Sequence, residues 1–455
     1  MRAILDHPDT TILGAAALLL AGMLACGLLI PPLFGLLLAG IILAGVALLA
    51  LRFPTPFCVA WLVITAMSLE MTFADLMDDT AYQPTIALVK GMEIGLAGLC
   101  AIRFGVTMDP LCPAWAFPLM LTAGLVHGLY PGMTTAESLR SAIGSVTPFV
   151  FCFVRVPPSW AEAIIRSVKW CPVIAVIACM PLSLAGIRPL FVDSGGARLA
   201  GLGHPAFLAN VCLPALYACL IQLYRSGRRG DLRLLIVTFL ILVLTGARAP
   251  LFYAVAVIGL CLLSLRSTAF AVRDRMILIL SALALLPVLF VLAGALGDVR
   301  LFNVVTNEAT DLSGRDLLWP NFENAAALSP WFGWGAGAGN AVIPPDSMIV
   351  KEMHTWAAHN EYLRIGVEGG QVGRTLLIGL FAAWVFARTR PLPASDRRIM
   401  RLAFLAYAGH AATDNLLIST PACVMFAFTA AVFARDPPAV GADGEPMRPQ
   451  KAGAA

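Results

Sequence analysis

Between two apolar stretches, residues 354–373 read HTWAAHNEYLRIGVEGGQVG, with two His, two Glu, an Arg and four Gly in twenty positions. His359 is the candidate for chemistry, because an imidazole exchanges a proton near neutral pH. The competing role is a structural histidine bonded to a backbone carbonyl. With 359–370 read as a helix at 100° per residue, His359, Leu363, Gly366 and Gly370 fall within about 40° of one another, and Gly373 joins them if the helix continues. Glu361, Arg364 and Glu368 line the other side at spacings that favour Glu–Arg contacts, which marks them as scaffold. The glycines permit close approach of a second helix. Gly369-Gly370 equally suits a break between a short helix and a span at 371–388. No His-Glu-x-x-His or similar metal spacing occurs, and no metal is expected here.

Three further features carry charge at places where charge is costly. Arg248, in Thr-Gly-Ala-Arg, stands at a turn between two apolar runs, where an arginine near lipid reads as functional. Arg315, in Ser-Gly-Arg-Asp, serves either a ligand or its neighbour Asp316. Arg198, His204, Pro205 and Asn210 mark the entry to another apolar run. Arginines gathered on one face suit an anionic phosphate ligand, since guanidinium groups match phosphate oxygens.

The elements that must position these residues are membrane helices. The chain has 455 residues, 59% hydrophobic and only 13% charged, against about a quarter charged in soluble domains. Apolar runs long enough to cross a bilayer recur near 11–30, 33–51, 57–73, 84–102, 114–130, 140–154, 165–186, 205–224, 232–246, 249–266, 276–296, 371–388, 399–413 and 416–434. The expected fold is an all-α polytopic membrane protein of about 12–14 transmembrane helices, with one large periplasmic loop containing short helices. Placing both termini in the cytoplasm puts Arg225, Arg228, Arg229 and Arg233 in one inner loop, Arg266, Arg273 and Arg275 in another, and Arg388, Arg390, Arg397, Arg398 and Arg401 in a third. This arrangement satisfies the positive-inside rule. The chain then divides into five regions: N-terminal helices at 1–190, central helices with arginine-bearing outer ends at 191–296, a periplasmic loop at 297–358, C-terminal helices led by His359 at 359–435, and a disordered cytoplasmic tail at 436–455.

The loop at 297–358 holds Trp319, Trp331, Trp334 and Trp356 and the glycine run 333–339. It reads either as a linker with interfacial Trp anchors or as an ordered lid whose aromatics stack on a sugar or lipid. Met23-Leu24-Ala25-Cys26 imitates a lipoprotein site, but the apolar run continues past Cys26 and reads as a first transmembrane helix. Most of the eleven cysteines lie in apolar runs as small core residues. Basic residues fall in short clusters between apolar blocks, which argues against nucleic-acid binding.

These residues together resemble the O-antigen ligase and Wzy-type polymerase superfamily of bacterial membrane glycosyltransferases. The pattern of that family is His, then Asn, Ser or Gln, nine residues, and Gly-x-x-Gly. Here it reads His359-Asn360, nine residues, and Gly370-Gln371-Val372-Gly373. Many ligases have Thr after the first of these glycines, and Gln371 departs from that, which favours polymerase over ligase. Arg198 to Asn210 is similar to the entry of the family's central span, Thr245–Arg248 to its Ser-Arg, Ser313 to Trp319 to its loop segment, and Asp414 to a late acidic position. The resemblance covers roughly 195–420.

What the resemblance implies is a metal-independent transfer without cofactor, at the periplasmic face of the bacterial inner membrane. The donor is an undecaprenyl-diphosphate-linked glycan, and the acceptor a lipid-linked glycan or lipid A-core. His359 is the implied base, Arg248, Arg315 and Arg198 the implied diphosphate ligands, and Asn360, Asp414, His204, Gly370 and Gly373 the supporting residues. Membrane lipids and other polysaccharide assembly proteins are the implied partners. Two rival readings are a metal-dependent glycosyltransferase using Asp75, Asp78 and Asp79, and a transporter or flippase using Lys90 and Glu93 as a polar pathway.

Overall fold

A computed structural model describes residues 52–72, 82–193, 196–265, 270–281, 315–344, 347–353 and 357–435, with Gly45, Leu48, Leu49 and Thr355. The chain divides into two compact units, Met1–Phe57 and Cys58–Ala455, and nearly all the described residues belong to the second. The α-helices are α1 (Pro54–Met67, which begins in the first unit), α2 (Tyr82–Phe104), α3 (Ala116–His127), α4 (Thr135–Val146), α5 (Pro158–Leu184), α6 (Pro205–Ser226), α7 (Arg229–Leu244), α8 (Arg248–Ser264), α9 (Arg315–Leu328), α10 (Met348–Met353), α11 (Glu361–Thr389), α12 (Ala394–His410) and α13 (Thr420–Ala434). Among the described residues the strands are one antiparallel hairpin, β1 (Phe191–Asp193) and β2 (Ala197–Leu199). The protein is an all-α polytopic membrane protein. By length and composition, Thr85–Phe104, α5, α6 and α11 are each able to cross a membrane.

The apolar runs expected from sequence mostly return as these helices, with three differences. Expected span 114–130 is a 3-10 turn, Pro113–Trp115, running into the twelve residues of α3, together about 24 Å and short of a bilayer. Expected span 140–154 is two pieces. α4 opens on a capping box between Thr134 and Glu137, and Thr147–Phe153 continues as a 3-10 helix from Pro148 onward. Together they reach about 32 Å. Expected span 371–388 is the far half of α11, which starts ten residues earlier. Spans 11–30 and nearly all of 33–51, the part of 276–296 beyond residue 281, and the tail 436–455 lie outside the described residues.

α6 is the hub. Its sequence has no polar face, so it suits a position enclosed by other helices, and Leu208 to Tyr224 are buried without interruption. α5, α7, α8, α12 and α13 pack around it. An aromatic group of Phe149, Phe381, Trp384, Phe404 and Phe426 joins α11, α12 and α13 to the 3-10 segment.

The helices alternate in direction, so the turns gather at two ends. At one end Arg388 and Trp384 donate to Asp109, Arg225 pairs with Asp396, and Arg435 with Glu162. These pairs fasten the tips of α6, α11 and α13 to the start of α12, the turn at Asp109 and the first turns of α5. At the other end the turn 411–419 meets the starts of α6 and α11: Glu361 N–H donates to Ala411 O, and Asn210 Nδ2 to Asp414 Oδ2. The long connection before His359 lies at this second end and is ordered where it is described. α9 buries Leu318, Phe322 and Ala325 against Ala338, Ile343, Ala358 and Val367.

Candidate active site

His359 does not head a helix. α11 begins at Glu361, and Asn360 is its N-cap, with Oδ1 accepting from Tyr362 and Leu363 N–H. His359 lies just outside, at φ +47°, a left-handed conformation uncommon for a side chain other than glycine. That turn frees the imidazole from the α11 surface and corrects the expectation of one helical face running from 359 to 370. The carbonyl before it, Ala358 O, accepts Trp319 Nε1–H at 2.9 Å. The base candidate is therefore held from the loop side as well as the helix side.

The imidazole stands between two partners. Nδ1 is 3.6 Å from Asp414 Oδ1, and Nε2 is 3.2 Å from Thr355 Oγ1. Asp414 is held in turn by Asn210 Nδ2 at 3.1 Å on Oδ2 and by Asn415 N–H at 2.8 Å on Oδ1. His410 Nε2 lies 3.9 Å from Oδ2. Burial pushes the Asp414 carboxyl up, but the His359 contact, the His410 and His359 charges and the Asn210 bond together hold it well below the usual carboxylate range. The site thus has a lasting anion behind one nitrogen of His359, and the other nitrogen is directed away from it.

His204 caps α6, its Nδ1 accepting Ala206 N–H at 3.2 Å. Burial and then the charge of Arg198 push His204 down to about 4, with His359 and Arg188 acting the same way and Asp414 opposing. A ring that accepts a backbone N–H at Nδ1 is the neutral tautomer, and the shift agrees. Arg198 is buried on β2, and its Nε donates to Thr245 O at 2.8 Å, clasping the hairpin to the turn before α8. Arg248 is the first residue of α8 and is exposed, with no ion pair among the described residues. Its end of α8 reaches the site because Tyr253, five residues on, packs on Gly409 and stacks at 5.9 Å on His410. Arg315 begins α9, but its side chain lies outside the described residues. So the fold gathers His359, Asp414, Asn210, His204 and Arg198 and directs Arg248 to the same end.

Gly370 has φ +57° and ψ −156°, so α11 is two helices joined across a break. The segment Pro330–Gly335 docks along it. Gln371 and Val372 N–H donate to Pro330 O and Trp331 O, and Trp334 and Gly335 N–H donate to Val367 O and Glu368 O. Of the two readings open in the sequence, the break is the one observed. Gly373 faces Met120 of α3, while a Cβ on Gly366 meets nothing closer than Arg374 Nη1 at 3.9 Å. The close approach therefore runs through Gly369, Gly370 and Gly373 rather than Gly366. Glu361, Arg364 and Glu368 form a buried ion triad: Arg364 donates to Glu361 Oε2 at 2.6 Å and to Glu368 at 2.9 Å. Glu361 Oε1 also accepts Leu417 N–H at 2.6 Å, tying α11 to the turn that carries Asp414.

Trp319 and Trp334 are spent on structure, their indole N–H groups bonded to Ala358 O and Ala325 O. Trp331 is exposed, and Trp356 and His354 lie outside the described residues. Lys90 bonds the carbonyls of Gly144 and Ile418, the latter in the Asp414 turn. Asp75, Asp78 and Asp79 lie outside the described residues. Sequence reasoning missed Thr355 and His410. For His410 the spacing of four from Asp414 was the available signal.

A helical bundle that spans a membrane and carries a His–Asp pair and an exposed arginine at the same end defines a polytopic membrane protein. Residues 234–378 match the family model described as O-antigen ligase, which supports membership of the O-antigen ligase/Wzy superfamily. The matched stretch takes in Arg248, α9, His359 and the break at Gly370, and stops before Asp414. No curated protein matches the chain. The match supports a glycosyltransferase-like activity of the O-antigen ligase or polymerase type.

Proposed function

We propose that the chain transfers a glycan from an undecaprenyl-diphosphate carrier to a sugar hydroxyl, at the periplasmic face of the inner membrane. The observation that carries this reading is the His359–Asp414 pair. His359 Nε2 takes the proton of the acceptor hydroxyl as its oxygen bonds to the anomeric carbon, and the bond from that carbon to the diphosphate oxygen breaks. Asp414 stabilises the imidazolium that forms. The departing diphosphate gains negative charge, which the exposed Arg248 at the N-terminus of α8 is suited to meet, with help from the helix dipole. Arg315 is the second candidate ligand. Arg198 contributes by holding the turn that presents Arg248.

Sidedness is supported by charge. Arg225, Arg228, Arg229, Arg388, Arg390, Arg397 and Arg398 all lie at or beside the tips of helices remote from His359, as the positive-inside rule requires of a cytoplasmic face. The acceptor is less constrained. Gln371 accepts from Arg374 Nη2 on the exposed side of α11, so the departure that favours a polymerase does not line the site. Both acceptors therefore enter the test. The purified protein in liposomes is given lipid-linked repeat units, with and without lipid A-core. Longer lipid-linked glycan identifies a polymerase, and glycosylated lipid A-core a ligase. His359→Ala is expected to lower either product by about 10²–10⁴-fold. Undiminished product from that variant refutes the mechanism, and glycan moved across the bilayer without new bonds would indicate a transporter.

A further inference from the structure

Asp414 has two carboxylate oxygens and more neighbours than the proposed base alone. Oδ1 faces His359 and accepts Asn415 N–H, while Oδ2 faces Asn210 and a second histidine, His410. His410 is the last residue of α12 and is only 2% exposed. It shares one closed turn with Asp414, because Thr413 donates both its N–H and its Oγ1–H to His410 O, at 2.9 and 3.0 Å. The ring also packs against Tyr253, with ring centroids 5.9 Å apart, and that tyrosine abuts Gly409. That tyrosine belongs to the helix that begins with Arg248.

We propose that His410 is a positioning residue: by engaging Asp414 Oδ2 it fixes the rotation of the carboxylate so that Oδ1 stays turned to His359. The inference rests on the reading of His359 as base. A carboxylate rotates easily about its last torsion, which is broad and roughly two-fold. Asn210 Nδ2 on Oδ2 and the Asn415 N–H on Oδ1 hold one bond each. A further contact from a different helix, His410 Nε2 at 3.9 Å from Oδ2, biases the plane they define, in the way that outer partners of a catalytic histidine set its orientation. His410 does not face the acceptor side of His359, since Asp414 stands between them.

The test uses the full-length protein in liposomes with a lipid-linked glycan donor. His410→Ala is expected to lower kcat about tenfold and leave KM for the donor unchanged. His410→Gln, which keeps an N–H donor, restores most of the rate. In an Asp414→Ala background, His410→Ala adds less than about a twofold loss, because its route to the base is already gone. A purely structural histidine would instead subtract the same factor again. Wild-type kcat in His410→Ala overturns the proposal, as does a full further loss in the Asp414→Ala background. If His410→Ala does not fold, His410→Gln carries the test: near-wild-type kcat supports positioning and a loss like that of Asp414→Ala refutes it. His359→Ala, run alongside, separates the two claims, since an active His359→Ala removes the base itself, whereas an inactive one with an unaffected His410→Ala removes only this inference.

Discussion

Replacing Gly370 by Ala tests whether the break in α11 is a required joint. The residue has φ +57° and ψ −156°, a region essentially reserved for glycine, and a side chain forced into such a conformation costs about 1–3 kcal/mol. The added Cβ would also lie 2.5 Å from Trp331 O and 2.7 Å from Phe332 N. Both are backbone atoms, so rotamer changes give no relief and the 330–335 segment must withdraw. Withdrawal gives up the bonds from Gln371 to Pro330 O and from Val372 to Trp331 O, at about 1 kcal/mol each. The sum is about 3–5 kcal/mol. The internal control is Gly379→Ala in the same helix, where a Cβ meets nothing within 4 Å and helix propensity favours Ala by about 0.5–1 kcal/mol. Unfolding in detergent gives the stabilities, and hydrogen exchange on a peptide spanning 368–374 reports the docking bonds. Gly370→Ala should exchange faster there and transfer glycan poorly, while Gly379→Ala should match or exceed the parent. A Gly370→Ala protein within about 0.5 kcal/mol of the parent and with unchanged exchange would refute the reasoning, since ordinary surface substitutions already fall in that range.

Arg248→Gln should lower the transfer rate by about 10²-fold, with Arg248→Lys recovering part of it. Arg198→Gln should instead lower stability first, through its lost bond to Thr245 O, and comparing rate with unfolding midpoint for the pair separates a ligand from a clasp. His204, held down to about 4 by burial and then by Arg198, must pick up its proton more easily unfolded than folded. Stability from this residue is therefore complete above its unfolded value of about 6.5 and is lost as pH falls from there towards 4, by at most about 3 kcal/mol. His204→Asn keeps an N-cap acceptor without titrating and should flatten unfolding curves measured across that window.

The helices were legible because lipid-length apolar runs leave few alternatives, and α6 through α8, α12 and α13 begin and end within a few residues of the runs that announce them. α4 and its 3-10 continuation were not, since hydropathy is blind to Pro148 and the capping box at Thr134. In the site, His359 and Asn210 could be singled out by residue type at the mouths of apolar runs and Asp414 by the family resemblance, and the fold brings them together. Helical spacing placed His359 on a glycine face, yet the cap at Asn360 ends the helix before it. That error was physical: Asn360 caps α11 just after His359, and the break at Gly370 is braced by Pro330 and Trp331, tens of residues away, of which local periodicity carries no record. His410 was hidden as the last residue of α12, where its spacing of four from Asp414 was the available signal and the turn closed by Thr413 brings the two together.

The docking of Pro330–Gly335 into the break at Gly370 has a consequence for exchanging parts between members of the family. In sequence the long connection looks like a cassette that ends at His359, and a chimaera cut there would seem to swap acceptor surface while keeping the chemistry. Physically the cassette extends to Gly373, because four backbone bonds stitch the connection to both halves of α11 and Trp319 grips the residue before His359. A graft with its seam after Gly373 carries its own joint and its own grip on the histidine. A seam at 358 asks a foreign loop to fit a socket shaped for another.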